Sequence, residues 1–234
     1  MLAKLLARLD AAERKLRYSF GEDIVTPRGR RLSKLHYNLF DHAFLRTFWT
    51  NFWPVAPGVW RSNQPTHKRF VKYKAMGIRT VINLRGTDRR AHYLFEEESC
   101  RDLGLTLVNT RLHARHAVAR ENFIEVIDAL RSAEKPMMFH CKSGADRAGM
   151  VAAMYQMIFD GQPVAVAKKQ LGLKFIHLKF TKTGVQDYIL DVYEARNNRA
   201  PIGFEDWMRT EYDGPAIQAG FDSKTPADQL VLPA

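Results

Sequence analysis

Cys141 and Arg147 stand six positions apart in the stretch Met137-Met138-Phe139-His140-Cys141-Lys142-Ser143-Gly144-Ala145-Asp146-Arg147-Ala148-Gly149, and these types at this spacing can handle phosphate. The apolar run Met137 to Cys141, placed after Pro136, predicts a buried strand. From Gly149 to Phe159, Met150, Met154, Met157 and Ile158 recur at three- and four-residue steps, which predicts a helix. The chain between must turn tightly, and Gly144 supplies the backbone freedom for it. A loop that opens a helix turns amide N–H groups inward and adds the positive end of the helix, so it cradles anions. A cysteine held there is expected to be a thiolate at neutral pH, able to attack phosphorus. The planar fork of Arg147 suits two phosphate oxygens and the charge that spreads over them during transfer. Lys142 adds a further cation.

Elements that alternate along the chain must position this loop. Val59–Ser62, Thr80–Leu84 and Leu105–Asn109 read as strands; helices are expected over Lys68–Met76, Glu96–Leu103, Glu121–Ser132, Val164–Leu171 and Gly184–Ala195. This predicts an α/β protein whose parallel-rich central sheet is flanked by helices, with the loop at the carboxyl ends of the strands.

His-Cys-x-x-Gly-x-x-Arg resembles the signature loop of the cysteine-based protein tyrosine and dual-specificity phosphatases. Gly58-Val59-Trp60-Arg61-Ser62-Asn63-Gln64-Pro65 and Met76-Gly77-Ile78-Arg79-Thr80-Val81-Ile82-Asn83-Leu84-Arg85 resemble the start of compact dual-specificity-like domains. The resemblance covers residues 55 to 195 or so. It implies a dual-specificity-phosphatase-like fold and hydrolysis through a phosphocysteine on Cys141. Arg147 would bind phosphate and the transition state, and Lys142, Ser143, Gly144, Ala145, Ala148 and Gly149 would line the substrate. His140 would hold the loop and tune the thiolate; the alternative is an ordinary internal histidine near a strand end.

Two positions depart from the family pattern. Ala148 stands where relatives carry a Ser or Thr whose hydroxyl helps the sulfur leave, so hydrolysis of the intermediate is expected to be slower or otherwise assisted. The general acid is also displaced, because the region that usually supplies an Asp reads Asn109-Thr110-Arg111-Leu112-His113-Ala114-Arg115-His116-Ala117. Asp146, inside the loop, resembles the loop acid of myotubularin-type lipid phosphatases and is expected to protonate the leaving oxygen. His113, His116 and Asp88 are the other candidates, and Asp146 can instead be a carboxylate that merely stabilises the loop.

The chain has 234 residues, 46% of them hydrophobic, enough for one core with extensions. The expected division is a basic, aromatic-rich helical extension over 1–54, the phosphatase domain over 55–199 and a carboxyl-terminal tail over 200–234. Trp207 and Tyr212 would pack the tail back, with mobility from Gly214 onward. Two cysteines, Cys100 and Cys141, form no disulfide framework or metal cluster, so a reducing compartment is expected with no metal and no cofactor. Cys100 reads as a buried helix residue, or else as a thiol able to trap oxidised Cys141.

A formal charge of +11 draws the chain to anionic partners. Residues 1 to 50 carry ten Lys or Arg against five Asp or Glu. Leu2, Leu5, Leu6 and Leu9 make an apolar stripe among Lys4, Arg8, Arg14, Lys15 and Arg17, and Arg28-Gly29-Arg30-Arg31 follows. Phe40, Phe44, Phe48, Trp49, Phe52 and Trp53 form an aromatic face if helical. Both stripes suit a bilayer interface or simply the core. The segment Leu173-Lys174-Phe175-Ile176-His177-Leu178-Lys179-Phe180-Thr181-Lys182 either reaches over the cradle toward a second anion or is a solvated face. No apolar run approaches the ~20 residues of a span, so a cytoplasmic protein peripheral on the inner membrane face is expected. The leading substrate is a phospholipid headgroup: within that class the chain resembles the mitochondrial-type and bacterial enzymes that dephosphorylate phosphatidylglycerophosphate. A protein tyrosine or dual-specificity phosphatase and a non-catalytic phosphate-binding module are the alternatives. No recognition motif accompanies the charge, so nucleic acid is not an expected partner.

Overall fold

The computed structural model describes Ala11 and residues 19–230. The Leu2–Leu9 stripe and the basic residues Lys4, Arg8, Arg14, Lys15 and Arg17 lie outside the described residues. Five strands form one sheet: β1 (Trp53–Ala56), β2 (Val59–Asn63), β3 (Thr80–Asn83), β4 (Thr106–Asn109) and β5 (Met137–Cys141), in the order β1-β2-β5-β3-β4. β5 lies in the centre, parallel to β2 and β3, and is buried along its length, as suits a sequence that is apolar but for His140. β3 pairs parallel with β4, and only the edge strand β1 runs antiparallel, against β2. The register sets Cys141 opposite Asn63 and His140 opposite both Ser62 and Asn83, so three strands end together beneath the loop.

Helices cover both faces. Before the sheet come α1 (Pro27–Leu39) and the single-turn α2 (Leu45–Phe48). α3 (His67–Ala75), α4 (Ala91–Asp102) and α5 (Arg120–Ser132) connect the strands, and α6 (Asp146–Phe159) follows β5. A short α7 (Val164–Ala167) continues as 3-10 turns before α8 (Val185–Arg199), α9 (Phe204–Thr210) and α10 (Gly214–Ser223). Sequence periodicity starts α4 and α6 late: α4 opens on Ala91 after Arg90, and α6 opens on Asp146, both ahead of the residues whose spacing marks the helix. It also misses β1, whose Pro54 fits only an edge.

The larger core cluster joins α5, α6 and α8 to the sheet, and α9 and α10 belong to it: Trp207, Met208, Tyr212 and Ile217 are fully buried. The segment after residue 200 is therefore helical through Ser223 and integral to the core, where a tail loose from Gly214 had been expected. Asp213 caps α10 by accepting the Ala216 amide at 2.7 Å. The smaller cluster, on the α3 and α4 side, contains Cys100, and burial pushes that thiol up, out of the reactive range.

The aromatic residues after α1 do not make one helical face. α1 stops at Leu39, Trp49 is extended, and Phe52 stacks on Tyr73 with ring centroids 4.3 Å apart, while Phe44 and Phe48 are exposed. His42 and Asn51 adopt positive φ and break the periodicity. Of the Arg28–Arg31 cluster, Arg30 is committed to a bidentate pair with Glu98 at 2.8 and 2.6 Å. Among the described residues no helix is long and apolar enough to cross a membrane.

Candidate active site

The loop from Cys141 to Arg147 joins the central strand to α6, whose axis starts at Asp146. Gly144 has φ +73°, and a Cβ there would fall 2.6 Å from the Asn63 amide nitrogen, so only glycine fits this turn. The Gly144 N–H donates to Cys141 Sγ at 3.2 Å. The thiol group is almost wholly buried, and the sulfur faces the opening end of α6.

Arg61 holds the loop from behind. Its Nη2 donates to the Gly144 and Ala145 carbonyls at 2.8 and 3.0 Å, and its Nη1 donates to Gln170 O and Oε1 at 2.7 and 2.9 Å. With two loop carbonyls held from behind, the Gly144 amide reaches the sulfur and the Ala145 amide donates to Ser143 Oγ at 3.3 Å. The guanidinium lies 3.9 Å from the Phe175 ring centroid. Burial lowers its pKa to about 9, against the pull of Cys141 and Asp146. Gly149 leaves room for this packing, since a Cβ there would meet Leu171, the Gln170 carbonyl and Arg61.

A buried polar chain supports the other side. His140 Nε2 pairs with Glu96 Oε1, while Glu96 Oε2 accepts from Gln64 Nε2 at 2.7 Å. Gln64 Oε1 accepts from Arg85, whose fork also reaches Asp41 at 2.8 and 3.1 Å. Asp41 is shared with Arg46 at 2.6 Å, and Lys142 Nζ stands 3.6 Å away. These cations hold the Asp41 carboxyl well below the usual carboxylate range despite its burial. His140 is thus wholly buried and holds the strand end, and Lys142 is divided between Asp41 and the cavity.

Arg147 projects into a cavity of about 570 Å³ lined by His113, Ala114, Arg115, His116, Lys142, Ser143, Asp146 and Thr183. Its Nη1 makes one long contact to the Leu112 carbonyl at 3.4 Å, and its buried Nε has no hydrogen-bond partner among the described residues. Burial and the neighbouring Arg147 charge push His113 down, toward the neutral form. Asp88 is not among the lining residues; it pairs with the Arg90 amide and His92. Ala148 is fully buried in the core, with no hydroxyl to offer the sulfur.

Asp146 has a partner that spacing along the sequence did not reveal. His177 Nδ1 lies 2.8 Å from Asp146 Oδ1, and its Nε2 lies 2.6 Å from Asp187 Oδ2 in the first turn of α8. Burial opposes charge on this ring, yet the two carboxylates raise its pKa to about 9, so it is an imidazolium at neutral pH. Oδ1 of Asp146 is engaged by His177, and the residue also lines the cavity. Beside Asp187, Gln186 donates to the His113 carbonyl at 3.1 Å, so one helical turn steadies both walls. Arg61, Asp41 and the His177–Asp187 pair are far from the signature in sequence; their only visible signal is polar residues within apolar stretches.

A parallel-centred sheet with a Cys-x5-Arg cradle at its carboxyl end defines the cysteine-based phosphatase fold. Residues 56–184, more than half the chain, match the model of the family described as DSP-PTPase phosphatase fused to NAD+ kinase, and the chain belongs to this family. It is 26% identical over 125 residues to the dual specificity protein phosphatase TpbA of Pseudomonas aeruginosa, covering 52% of this chain and 53% of TpbA. The chain thus spans about half the length of the curated relatives it matches. The crystal structure of TpbA superposes with TM-score 0.49 at 20% identity, covering 62% of this chain and 91% of that one. A putative phosphatase (DUF442) from Shewanella putrefaciens CN-32 gives 0.50 at 17% identity, covering 64% and 95%.

Proposed function

We propose that the protein is a cysteine-dependent phosphomonoesterase acting on a membrane phospholipid headgroup such as phosphatidylglycerophosphate. One observation carries the substrate reading: Arg115, Lys142 and Arg147 line a single cavity around the cradle, with Asp146 the only carboxylate lining it among the described residues. That excess of positive charge suits a substrate with a second anionic group beside its monoester, as a phosphoglycerol headgroup has in its diester. The Cys141 thiolate attacks phosphorus as the P–O bond to the headgroup breaks, and Asp146 passes to the leaving oxygen a proton drawn from the His177 imidazolium hydrogen-bonded to it. Arg147 and the loop amides hold the charge on the transferring oxygens. Water then attacks phosphocysteine, Asp146 takes its proton, the S–P bond breaks, and inorganic phosphate leaves with the thiolate restored.

Likeness to a dual specificity protein phosphatase favours a second reading, in which the substrate is a phosphoprotein. Phosphate release from micellar phosphatidylglycerophosphate, phosphoinositides and phosphotyrosine peptides, with Cys141→Ser as control, separates the two. A wide preference for the lipids is expected; peptides outrunning every lipid would overturn the lipid reading. Phosphate binding without hydrolysis of anything would overturn the enzyme.

A further inference from the structure

The cavity has a rim that catalysis does not explain. Between Leu173 and Lys182 the chain alternates inward and outward. Phe175 and His177 are buried, while Leu173, Ile176, Leu178 and Phe180 are 75, 53, 37 and 81% exposed. The inward residues are pinned to the cradle: Asn51 Nδ2 donates to both the Ser143 and Phe175 carbonyls, at 3.1 and 3.0 Å, and His177 meets Asp146. Between those pins Ile176 adopts φ +61°, which a β-branched residue rarely does, and its side chain is turned out to solvent.

Lys174, Lys179 and Lys182 are exposed among the apolar residues, and the segment has no acidic residue. Lys174 Nζ stands 4.2 Å from the ring centroid of Trp53, itself partly exposed. We propose that residues 173–182 are an interfacial anchor that seats the cavity mouth on an anionic lipid surface. The choice of occupant rests on the phospholipid reading above. Exposed aliphatic and aromatic side chains interleaved with lysine suit the boundary between headgroups and acyl chains. A second copy of this chain would bring the same positive face against itself. Thr183, the next residue, lines the catalytic cavity, so contact through the anchor brings headgroup phosphates to its mouth.

The test is co-sedimentation of the full chain with vesicles of phosphatidylglycerol in phosphatidylcholine, against phosphatidylcholine alone. Neither lipid carries a phosphomonoester, so binding is read apart from hydrolysis. The chain should bind the anionic vesicles and release as salt rises. L173S/F180S and K179E/K182E should each bind at least ~10-fold more weakly, with turnover of a soluble aryl phosphate unchanged. Equal binding to both vesicles, no binding, or variants that bind like the parent would overturn the proposal. So would concentration-dependent dimerisation that L173S/F180S abolishes, since the rim would then be a self-association face. Absent lipid hydrolysis with this binding pattern intact would count against the substrate and leave the anchor supported.

Discussion

The His177 imidazolium, clamped between Asp146 and Asp187, should make stability fall as pH rises from neutral to alkaline. Its pKa of about 9 in the folded chain stands above an unfolded value of about 6.5. The folded state therefore holds the proton more tightly, and the stability this contributes is complete below pH ~6.5 and lost as pH rises through ~9. Linkage then gives about 3 kcal/mol below pH 6, about 2.5 at pH 7, about 1.5 at pH 8 and under about 0.5 at pH 9. The side chain is fully buried, so solvent does little to screen it. His177→Gln keeps hydrogen-bonding capacity and removes the charge. Urea unfolding of the parent and this variant at pH 6, 7, 8 and 9 reads the linkage as a difference, in which other titrating groups cancel. The stability gap should close by about 3 kcal/mol between pH 6 and pH 9. A gap that stays constant across that range would refute the charged His177 and the clamp drawn from it.

Asp146→Asn should cut turnover of alkyl phosphates about 10²-fold or more while sparing activated aryl phosphates, whose leaving groups need no proton; equal losses on both would remove the acid role. Arg61→Leu frees the Gly144 and Ala145 carbonyls and should lower kcat about 10²-fold through sub-ångström misplacement of the loop. Arg61→Lys should restore little of it, because one ammonium cannot replace a two-armed fork; steady-state kinetics check both. Trp207→Ala should cost about 3–5 kcal/mol in denaturant unfolding, as the fully buried ring belongs to the main core.

Local sequence carried the cradle and most of the sheet because those features are contiguous. Met137 to Cys141 is apolar but for His140, as suits a strand buried on both faces, and the loop residues are neighbours in the chain. The supports were not legible because each lies in another element. Arg61 is a charge in the middle of a buried strand, the pattern that hydrophobic periodicity discards. His177 sits among lysines in what reads as a solvated stretch; its burial depends on Asp146 and Asp187 arriving from two helix starts. The aromatic stripe failed for the converse reason: spacing fits one helix, but the chain leaves it after Leu39 and turns at His42 and again at Asn51, both at positive φ, for which periodicity has no term.

The segment before residue 55, read from sequence as an extension, is tied into the signature loop. Asp41 receives Arg46 and Arg85 and faces Lys142, while Asn51 joins the Ser143 carbonyl to that of Phe175. The family match begins at residue 56 and ends at 184, so Asp41 and Asn51 lie before it and Asp187 after it. Removing residues 1–50 would take away Asp41 and Arg46 together and leave the buried Arg85 without its carboxylate partner, and leaving such a charge unpaired costs several kcal/mol. Lost membrane binding in that truncation would therefore follow from a damaged cradle as readily as from a missing anchor. Point changes at Leu173, Phe180, Lys179 and Lys182 leave the cluster whole, and their effect on vesicle binding reports on the rim alone.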